Sequence, residues 1–325
     1  MKYSLPVASM YLAAALIAGG CTDRTGRSAD SPRSVTGMVD GPAGGLFYEM
    51  YHPDAEGVPL LMIHGGPGST SCSFGLLDER ITDRPVIRYD QTGTGRSEGR
   101  GAASSYPLHH FVAEIDSIRA ALDLDRLHIM GLSWGGSVAI EYALHGDTSG
   151  VASITLSGPL VSTSEWIKDA VSLVEELPPD LQSVIRRHEA AGTFDDPEYL
   201  AATDSFYVRF LYRRQPPPQI PECSGVSGNS DIYTTMWGPS EFTATGTLLD
   251  YDRADRLQEI RLPVLFIGGE FDEARPETLR EFAATMPDAR VEIVEGAAHM
   301  TVVDRPEQFA ELLESFMSEH EPHGR

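Results

Sequence analysis

The sequence predicts an α/β fold with a mostly parallel central sheet, helices on both faces and an inserted helical cap. The first observation behind this prediction is that apolar runs typical of buried strands alternate with helical patterns over residues 38–157 and 246–320. The second is that the alternation stops over residues 158–245, where helical patterns follow one another. The third is the length of 325 residues, which accommodates one large α/β domain with an insertion.

Each element is identified by the spacing of its apolar residues. Continuous apolar runs bounded by glycine or polar residues indicate buried strands, and apolar residues three or four positions apart indicate helices. Strands are expected at residues 46–51, 58–63, 86–89, 127–130, 151–156, 264–268 and 291–294. Helices are expected at residues 111–122, 136–144 and 306–317 in the core, and at residues 164–176, 179–191 and 197–212 in the cap.

The N-terminal segment differs in composition from the rest of the chain. Residues 1–21 combine a basic start at Lys2, a short apolar stretch and small residues before Cys21, which is the pattern of a secretory signal peptide. Small residues before a cysteine also resemble a bacterial lipobox, although Ala18 stands where leucine is usual. Cys21 is therefore either lipidated, which would anchor the protein to a membrane, or a plain thiol removed with the leader. Residues 22–37 predict a flexible tether, and we expect an exported protein, in the bacterial cell envelope or secreted.

Charge and cysteine content limit the classes of partner. The formal net charge of −23 predicts an acidic surface that repels nucleic-acid phosphates, so no nucleic-acid partner is expected. This charge either solubilises the protein or attracts cationic substrates. Cys72 and Cys223 form either a disulfide or two free thiols. Neither the cysteines nor the scattered histidines have metal-ligand spacing, and the sequence predicts no metal and no cofactor.

A G-x-S-x-G motif at residues 131–135 lies between a predicted strand and a predicted helix. This is the arrangement of an α/β-hydrolase nucleophile elbow, in which Ser133 is the nucleophile, although the same letters also occur in ordinary tight turns. The glycine-rich segment at residues 64–68 follows another predicted strand and can present backbone N–H groups to a ligand. In this fold the N–H groups of Gly66 and Trp134 are the expected oxyanion hole.

A serine nucleophile needs a base and an acid that orients the base. In this fold the expected order along the chain is serine, acid, histidine. Asp272 follows one predicted strand and His299 follows the next, so both are expected at the carboxyl edge of the sheet. His299 would accept the serine proton and Asp272 would fix its tautomer. Glu270 is the alternative acid.

Six segments together point to a known family. They are residues 64–68 (HGGPG), 89–97 (YDQTGTGRS), 131–136 (GLSWGG), 236–246 (MWGPSEFTATG), 269–273 (GEFDE) and 298–300 (AHM). With them the chain resembles the proline iminopeptidase family of α/β-hydrolase serine aminopeptidases, especially the branch of the tricorn-interacting aminopeptidase. The resemblance implies Ser133, Asp272 and His299 as the catalytic triad. It also implies that Glu241 and Glu273 bind the free α-ammonium of the substrate.

Binding of an α-ammonium by two carboxylates has a physical basis. An aminopeptidase holds a cation beside the scissile carbonyl, and charge-assisted hydrogen bonds to carboxylates contribute about 1.5–3 kcal/mol each. Such a pair also rejects substrates with a blocked N-terminus, which leave the acids unpaired. Without this role, Glu241 would be a solvated residue of the cap.

Two further features have open interpretations. Residues 90–97 form either a substrate loop or a brace, in which Asp90 or Arg96 supports the loop that carries His64. Several cap aromatics either wall a proline-sized pocket or belong to the core of the cap. These aromatics are Phe206, Tyr207, Phe210, Tyr212 and Trp237.

The sequence therefore favours a serine exopeptidase that removes an N-terminal proline or another small apolar residue through an acyl-enzyme. The expected substrate is a short peptide or amino-acid amide with a free N-terminus. An amino-acid amidase or an esterase on the same fold is the alternative. A binding lipoprotein without catalysis is disfavoured by the complete set of Ser133, Asp272 and His299.

Overall fold

The computed structural model describes residues 33–99 and 106–321. The expected signal peptide and lipobox, with Cys21, lie outside these residues, as does most of the expected tether. Within the two described ranges, the helices are all too short or too polar to traverse a bilayer.

Eight strands form one sheet in the order β1-β2-β4-β3-β5-β6-β7-β8. The pairs β1–β2 and β2–β4 are antiparallel, and every other neighbouring pair is parallel. The expectation of a mostly parallel sheet is therefore confirmed. The strands are β1 (Ser34–Gly41), β2 (Gly44–Tyr51), β3 (Leu60–Ile63), β4 (Val86–Tyr89), β5 (Leu127–Leu132), β6 (Val151–Ser157), β7 (Val264–Gly269) and β8 (Ala289–Val294).

Helices cover both faces of the sheet, and side chains alternate between two cores. On β5, Leu127 and Ile129 enter one core with α1, α2 and α7, whereas Met130 and Leu132 enter the other with α8 and α9. The core helices are α1 (Leu108–Ala121), α2 (Trp134–His145), α7 (Pro276–Thr285), α8 (Thr301–Asp304) and α9 (Pro306–Glu319).

The prediction of a flexible tether at residues 22–37 is wrong for residues 34–37, because these residues belong to β1. Along β1 only Val39 is buried, so the segment lacks the apolar pattern of a strand. Its backbone nevertheless pairs with β2 over its whole length, from Ser34 opposite Tyr51 to Gly41 opposite Gly44. Backbone pairing with a neighbour, rather than side-chain burial, makes this segment a strand.

The cap lies between β6 and β7 and has its own small apolar core around Phe206 and Phe242. The three expected helices of the cap are present. A fourth helix, α6, was not predicted, because it directly follows a glycine-serine stretch that is typical of a loop. Asn229 begins α6, since its side chain accepts from the N–H groups of Asp231 and Ile232. The cap helices are α3 (Thr163–Val174), α4 (Pro179–Ala191), α5 (Pro197–Phe210) and α6 (Ser230–Met236).

A disulfide joins the cap to the core. Cys223 of the cap is bonded to Cys72, which lies in a 3₁₀ helix at Ser71–Leu76 on the core. Of the two possibilities left open by the sequence, the structure has the disulfide rather than two free thiols. It closes a loop of 151 positions along the chain and thereby limits separation of cap and core.

The end of α5 is also hydrogen-bonded to the loop that carries His299. The His299 N–H donates to Phe210 O at 3.0 Å, and the Met300 N–H donates to Leu211 O at 2.7 Å. The buried carboxylate of Asp304 completes this junction. It accepts from the backbone N–H groups of Ala298, Arg213 and Arg214 at 2.8, 2.9 and 2.8 Å, respectively.

We predict that Asp304→Asn destabilises the protein. An amide presents one acceptor oxygen where the carboxylate presents two, so at least one buried N–H loses its partner, at a cost of about 1–3 kcal/mol. Differential scanning calorimetry would measure this as a lower Tm. Asp288→Asn, at an exposed position, is the matched control and should leave the Tm unchanged. Equal Tm values for the two variants would contradict the role assigned to Asp304.

Candidate active site

Ser133 lies on the turn between β5 and α2, where the backbone is strained. Its φ of 54° is in the left-handed region, which costs a non-glycine residue about 1–3 kcal/mol. Two residues on, a Cβ on Gly135 would lie 2.1 Å from the carbonyl oxygen of Ile63, so only glycine allows the turn to approach β3 this closely. The strained turn directs Ser133 into a cavity of about 580 Å³.

Asp272 and His299 meet at the carboxyl edge of the sheet. Asp272 follows β7 and His299 follows β8, and His299 Nδ1 lies 2.7 Å from Asp272 Oδ1. The same carboxylate accepts from the N–H groups of Gly269 at 3.2 Å and Ala274 at 2.8 Å, which fixes its orientation. An Nδ1–H donated to Asp272 leaves Nε2 of His299 as the available base.

Glu270, the alternative acid, does not reach this histidine. Its side chain is exposed, and its Oε2 accepts from the backbone N–H of Gly296 at 2.9 Å. Asp272 is therefore the acid that the fold brings to His299.

Ser133 and His299 line the same cavity. Within the described residues, the Ser133 hydroxyl makes no hydrogen bond to His299, whose Nε2 lies 3.7 Å from Glu273 Oε1. Catalytic hydrogen bonds commonly shorten only when substrate binds. The arrangement thus places nucleophile and base in one cavity, with Glu273 beside the base.

The two expected oxyanion donors lie next to Ser133. Gly66 lines the cavity and has a φ of 112°, a conformation that L side chains rarely adopt. Trp134 is the first residue of α2, and first-turn N–H groups have no acceptor within their helix. The N-terminus of α2 adds a favourable field for negative charge. The oxyanion-hole role of Gly66 and Trp134 stays a prediction.

Gln91 connects the two segments that carry these donors, and sequence reasoning missed it. Its side-chain amide donates to His64 O at 2.7 Å, and its carbonyl accepts from Trp134 Nε1 at 2.9 Å. Its backbone N–H also donates to His64 Nε2 at 3.0 Å. Gln91 therefore fixes the spacing between the glycine-rich loop and the start of α2. The segment 89–97 was the available signal, but it did not single out Gln91.

The neighbouring residues of that segment act as a brace, which is one of the two interpretations left open. Asp90 accepts from the N–H and hydroxyl of Ser71 at 3.0 and 2.8 Å, and it pairs with Arg96 Nε at 2.9 Å. The pKa of Asp90 is lowered by these hydrogen bonds, which outweigh the effect of burial. Asp90 thus supports the 3₁₀ helix after the glycine-rich loop, while Gln91 holds His64 itself.

Glu241 and Glu273 both line the cavity beside Ser133. Burial raises the pKa of Glu273 well above its usual range, and repulsion by Glu241 and Asp272 raises it further. Burial also raises the pKa of Glu241, against the opposing effect of Tyr233, whose hydroxyl donates to Glu241 at 2.5 Å. Tyr233 is a site residue that sequence reasoning missed, because α6 was hidden.

Glu273 has an uncompensated polar atom. Its side chain is 1% exposed, and its Oε2 has no hydrogen-bond partner within the described residues. Across those residues, no lysine or arginine forms an ion pair with Glu241 or Glu273. Buried carboxylates without a cationic partner are costly, so this corner of the cavity favours a positively charged group.

The cap aromatics divide between the two interpretations. Tyr207 and Tyr212 line the cavity, whereas Phe206, Phe210 and Trp237 are buried in apolar packing. Trp166 of α3 was not anticipated at the site. Its ring stands edge-on to that of His299 at 5.4 Å between centroids and packs against the imidazole.

A group of possible metal ligands lies outside this cavity. Among the described residues, His188, Asp196 and Glu198 of the cap have ligand atoms close enough to share an ion. Arg187 lies 2.5 Å from Glu198 and already neutralises that carboxylate. The group therefore contributes nothing to the chemistry at Ser133.

Comparisons with known proteins agree with this geometry. The sequence profile described as alpha/beta hydrolase fold matches residues 58–306. A proline iminopeptidase of Heyndrickxia coagulans is 38% identical over 284 residues, which are 87% of this chain and 98% of that protein. One from Lactobacillus helveticus is 32% identical over 293 residues, 87% of this chain and 99% of that protein.

A solved structure extends the comparison to three dimensions. The crystal structure of proline iminopeptidase from Mycobacterium smegmatis superposes with a TM-score of 0.79 at 33% sequence identity, and the match covers 88% of this chain and 98% of that one. Fold, site and relatives thus agree. This chain belongs to the proline iminopeptidase family of α/β hydrolases.

Proposed function

We propose that this protein is a serine aminopeptidase that releases an N-terminal proline, or another small apolar residue, from short peptides and amides. The observation that carries the proposal is the buried Glu273 carboxyl beside Ser133, whose Oε2 has no hydrogen-bond partner among the described residues, with Glu241 in the same cavity. A substrate's α-ammonium supplies the missing positive charge and brings the first carbonyl next to the nucleophile. The relatives named proline iminopeptidases support proline as the first residue.

The reaction proceeds through an acyl-enzyme. His299 Nε2 takes the proton of the Ser133 hydroxyl as the oxygen attacks the carbonyl carbon, and the N–H groups of Gly66 and Trp134 stabilise the oxyanion. Asp272 stabilises the imidazolium. When the C–N bond breaks, His299 returns the proton to the leaving nitrogen. A water molecule, deprotonated by His299, then hydrolyses the ester and releases the free amino acid.

Binding of the ammonium also explains why the two acids are tolerated in the site. In the free protein the pKa of each carboxyl is raised, because an ionised form is poorly solvated there. A bound ammonium favours the ionised forms and offsets that cost. Specificity for a free N-terminus then arises because a blocked substrate leaves the carboxylates unpaired.

We further propose export and lipidation at Cys21, supported by the leader-like residues 1–21. The Cys72–Cys223 disulfide is compatible with an oxidising compartment. Intact-mass analysis of the protein from its native host should give a mature N-terminus at Cys21 that carries acyl chains. Cleavage beyond Cys21 would favour a secreted form, and an intact leader would contradict both.

We predict that Ser133→Ala abolishes hydrolysis of a prolyl-arylamide, because the variant lacks the hydroxyl that forms the acyl-enzyme. The loss in kcat should be on the order of 10⁴-fold or more. A fluorophosphonate probe should label the unaltered protein and not the variant, as judged by intact mass. A chelator should leave the activity intact. Labelling of Ser133→Ala at another residue would contradict the assignment.

We predict that Glu273→Gln lowers kcat/KM for prolyl-arylamide by about 10–150-fold, since a charge-assisted hydrogen bond worth roughly 1.5–3 kcal/mol is lost. Glu270→Gln, three residues away and exposed, is the matched control and should retain full activity. The unaltered protein should hydrolyse a free amine substrate and not its N-acetyl derivative.

The substrate panel also separates the alternatives. Equal rates on free and N-acetylated substrates, or a preference for simple acyl esters, would indicate an esterase and contradict the ammonium site. Activity confined to amino-acid amides, with none on peptides, would indicate an amidase.

A further inference from the structure

A second cavity adjoins the catalytic one. Its volume is about 780 Å³, against about 580 Å³ for the cavity that holds Ser133. Ser73, Tyr212 and Met300 line both, so the two cavities share a boundary. The triad and the proposed ammonium site do not use the second cavity.

The shared boundary includes the residue that follows His299 in the chain. With the ammonium at Glu241 and Glu273 and the carbonyl carbon at Ser133, the rest of a peptide extends away from the two acids. His299 delivers the proton to the leaving nitrogen, and the next residue, Met300, lines both cavities. The second cavity therefore borders the part of the catalytic cavity where His299 lies.

The second cavity has a mainly apolar lining, with polar side chains at Ser73, Tyr212, Gln219 and Ser224. Leu76 and Val303 of the core face Ile220 and Val226 of the cap across it, together with three prolines. None of its lining residues carries a charge. Such a surface binds apolar side chains by removing them from water and offers nothing to a charged one.

The disulfide holds the two walls of this cavity together. Cys72 and Cys223 both line it, one from the core 3₁₀ helix and the other from the cap. Because the walls are covalently joined, the cavity is formed before a ligand arrives, and less conformational entropy is lost on binding.

We propose that the second cavity is a leaving-group subsite, which binds the apolar residues that follow the scissile bond of a peptide substrate. This inference rests on the proposed aminopeptidase function and adds to it a substrate class. The preferred substrates are short peptides whose second and third residues are apolar.

The test compares three substrates that share an N-terminal proline. Prolinamide has only ammonia as its leaving group and reports on the triad and the ammonium site alone. Pro-Leu-Phe-amide fills the second cavity, and Pro-Gly-Gly-amide does not. We expect kcat/KM for Pro-Leu-Phe-amide to exceed that for Pro-Gly-Gly-amide by about 10-fold or more.

A substitution in the cavity wall tests whether the preference for Pro-Leu-Phe-amide arises in this cavity. Ile220→Asp, at a half-buried position, should remove the preference for Pro-Leu-Phe-amide and leave prolinamide hydrolysis unchanged. Leu200→Asp, at a residue on α5 that is 50% exposed and lines neither cavity, is the matched control and should keep the preference.

Inhibition measured on the unaltered protein makes the test independent of variant folding. N-acetyl-Leu-Phe-amide lacks the ammonium and should inhibit hydrolysis of Pro-Leu-Phe-amide, whereas N-acetyl-Gly-Gly-amide should not. No preference in the unaltered protein, an equal preference in Ile220→Asp, or equal inhibition by both compounds would overturn the subsite. Failure to hydrolyse prolinamide at all would instead overturn the proposed function.

Discussion

The two poorly solvated carboxyl groups of Glu241 and Glu273 are the constraint on which the site depends. A carboxylate removed from water needs a partner, and the described residues supply Glu241 with a tyrosine hydroxyl and leave Glu273 Oε2 with none. A bound cation would offset this desolvation cost, so the site favours binding of a positively charged group. In the proposed reaction, selectivity for a free amine follows because the described residues supply these two carboxyl groups with no lysine or arginine partner.

The sheet positions the residues of the site relative to one another. Ser133, Asp272 and His299 each follow a parallel strand, so the strands determine where the loops that carry these residues begin. Gln91 and Asp304 refine the arrangement with hydrogen bonds to backbone groups. One fixes the glycine-rich loop against α2, and the other fixes the histidine loop against the cap. A rigid site of this kind loses little entropy when substrate binds.

Much of this architecture could be predicted from the sequence, because strands and elbow have strong local patterns. The apolar runs at β3 to β7 and the order of serine, acid and histidine need no long-range information. Three features did need it. β1 is held by backbone pairing rather than burial, α6 begins at an asparagine after a flexible-looking stretch, and Gln91 acts through partners far away in the chain. The sequence already favoured Asp272 over Glu270, and the structure gives the contacts of each: Asp272 lies against His299, whereas Glu270 accepts from Gly296.

The cap is attached to the core on two sides of the catalytic cavity. On one side the end of α5 is hydrogen-bonded to His299 and Met300; on the other, the Asn229 N–H donates to Gly68 O at 2.7 Å. Swinging the cap away would displace both the base and the oxyanion loop, so we expect substrate to enter through a fixed aperture. A fixed aperture acts as a sieve: chain ends and short peptides pass, and folded proteins do not.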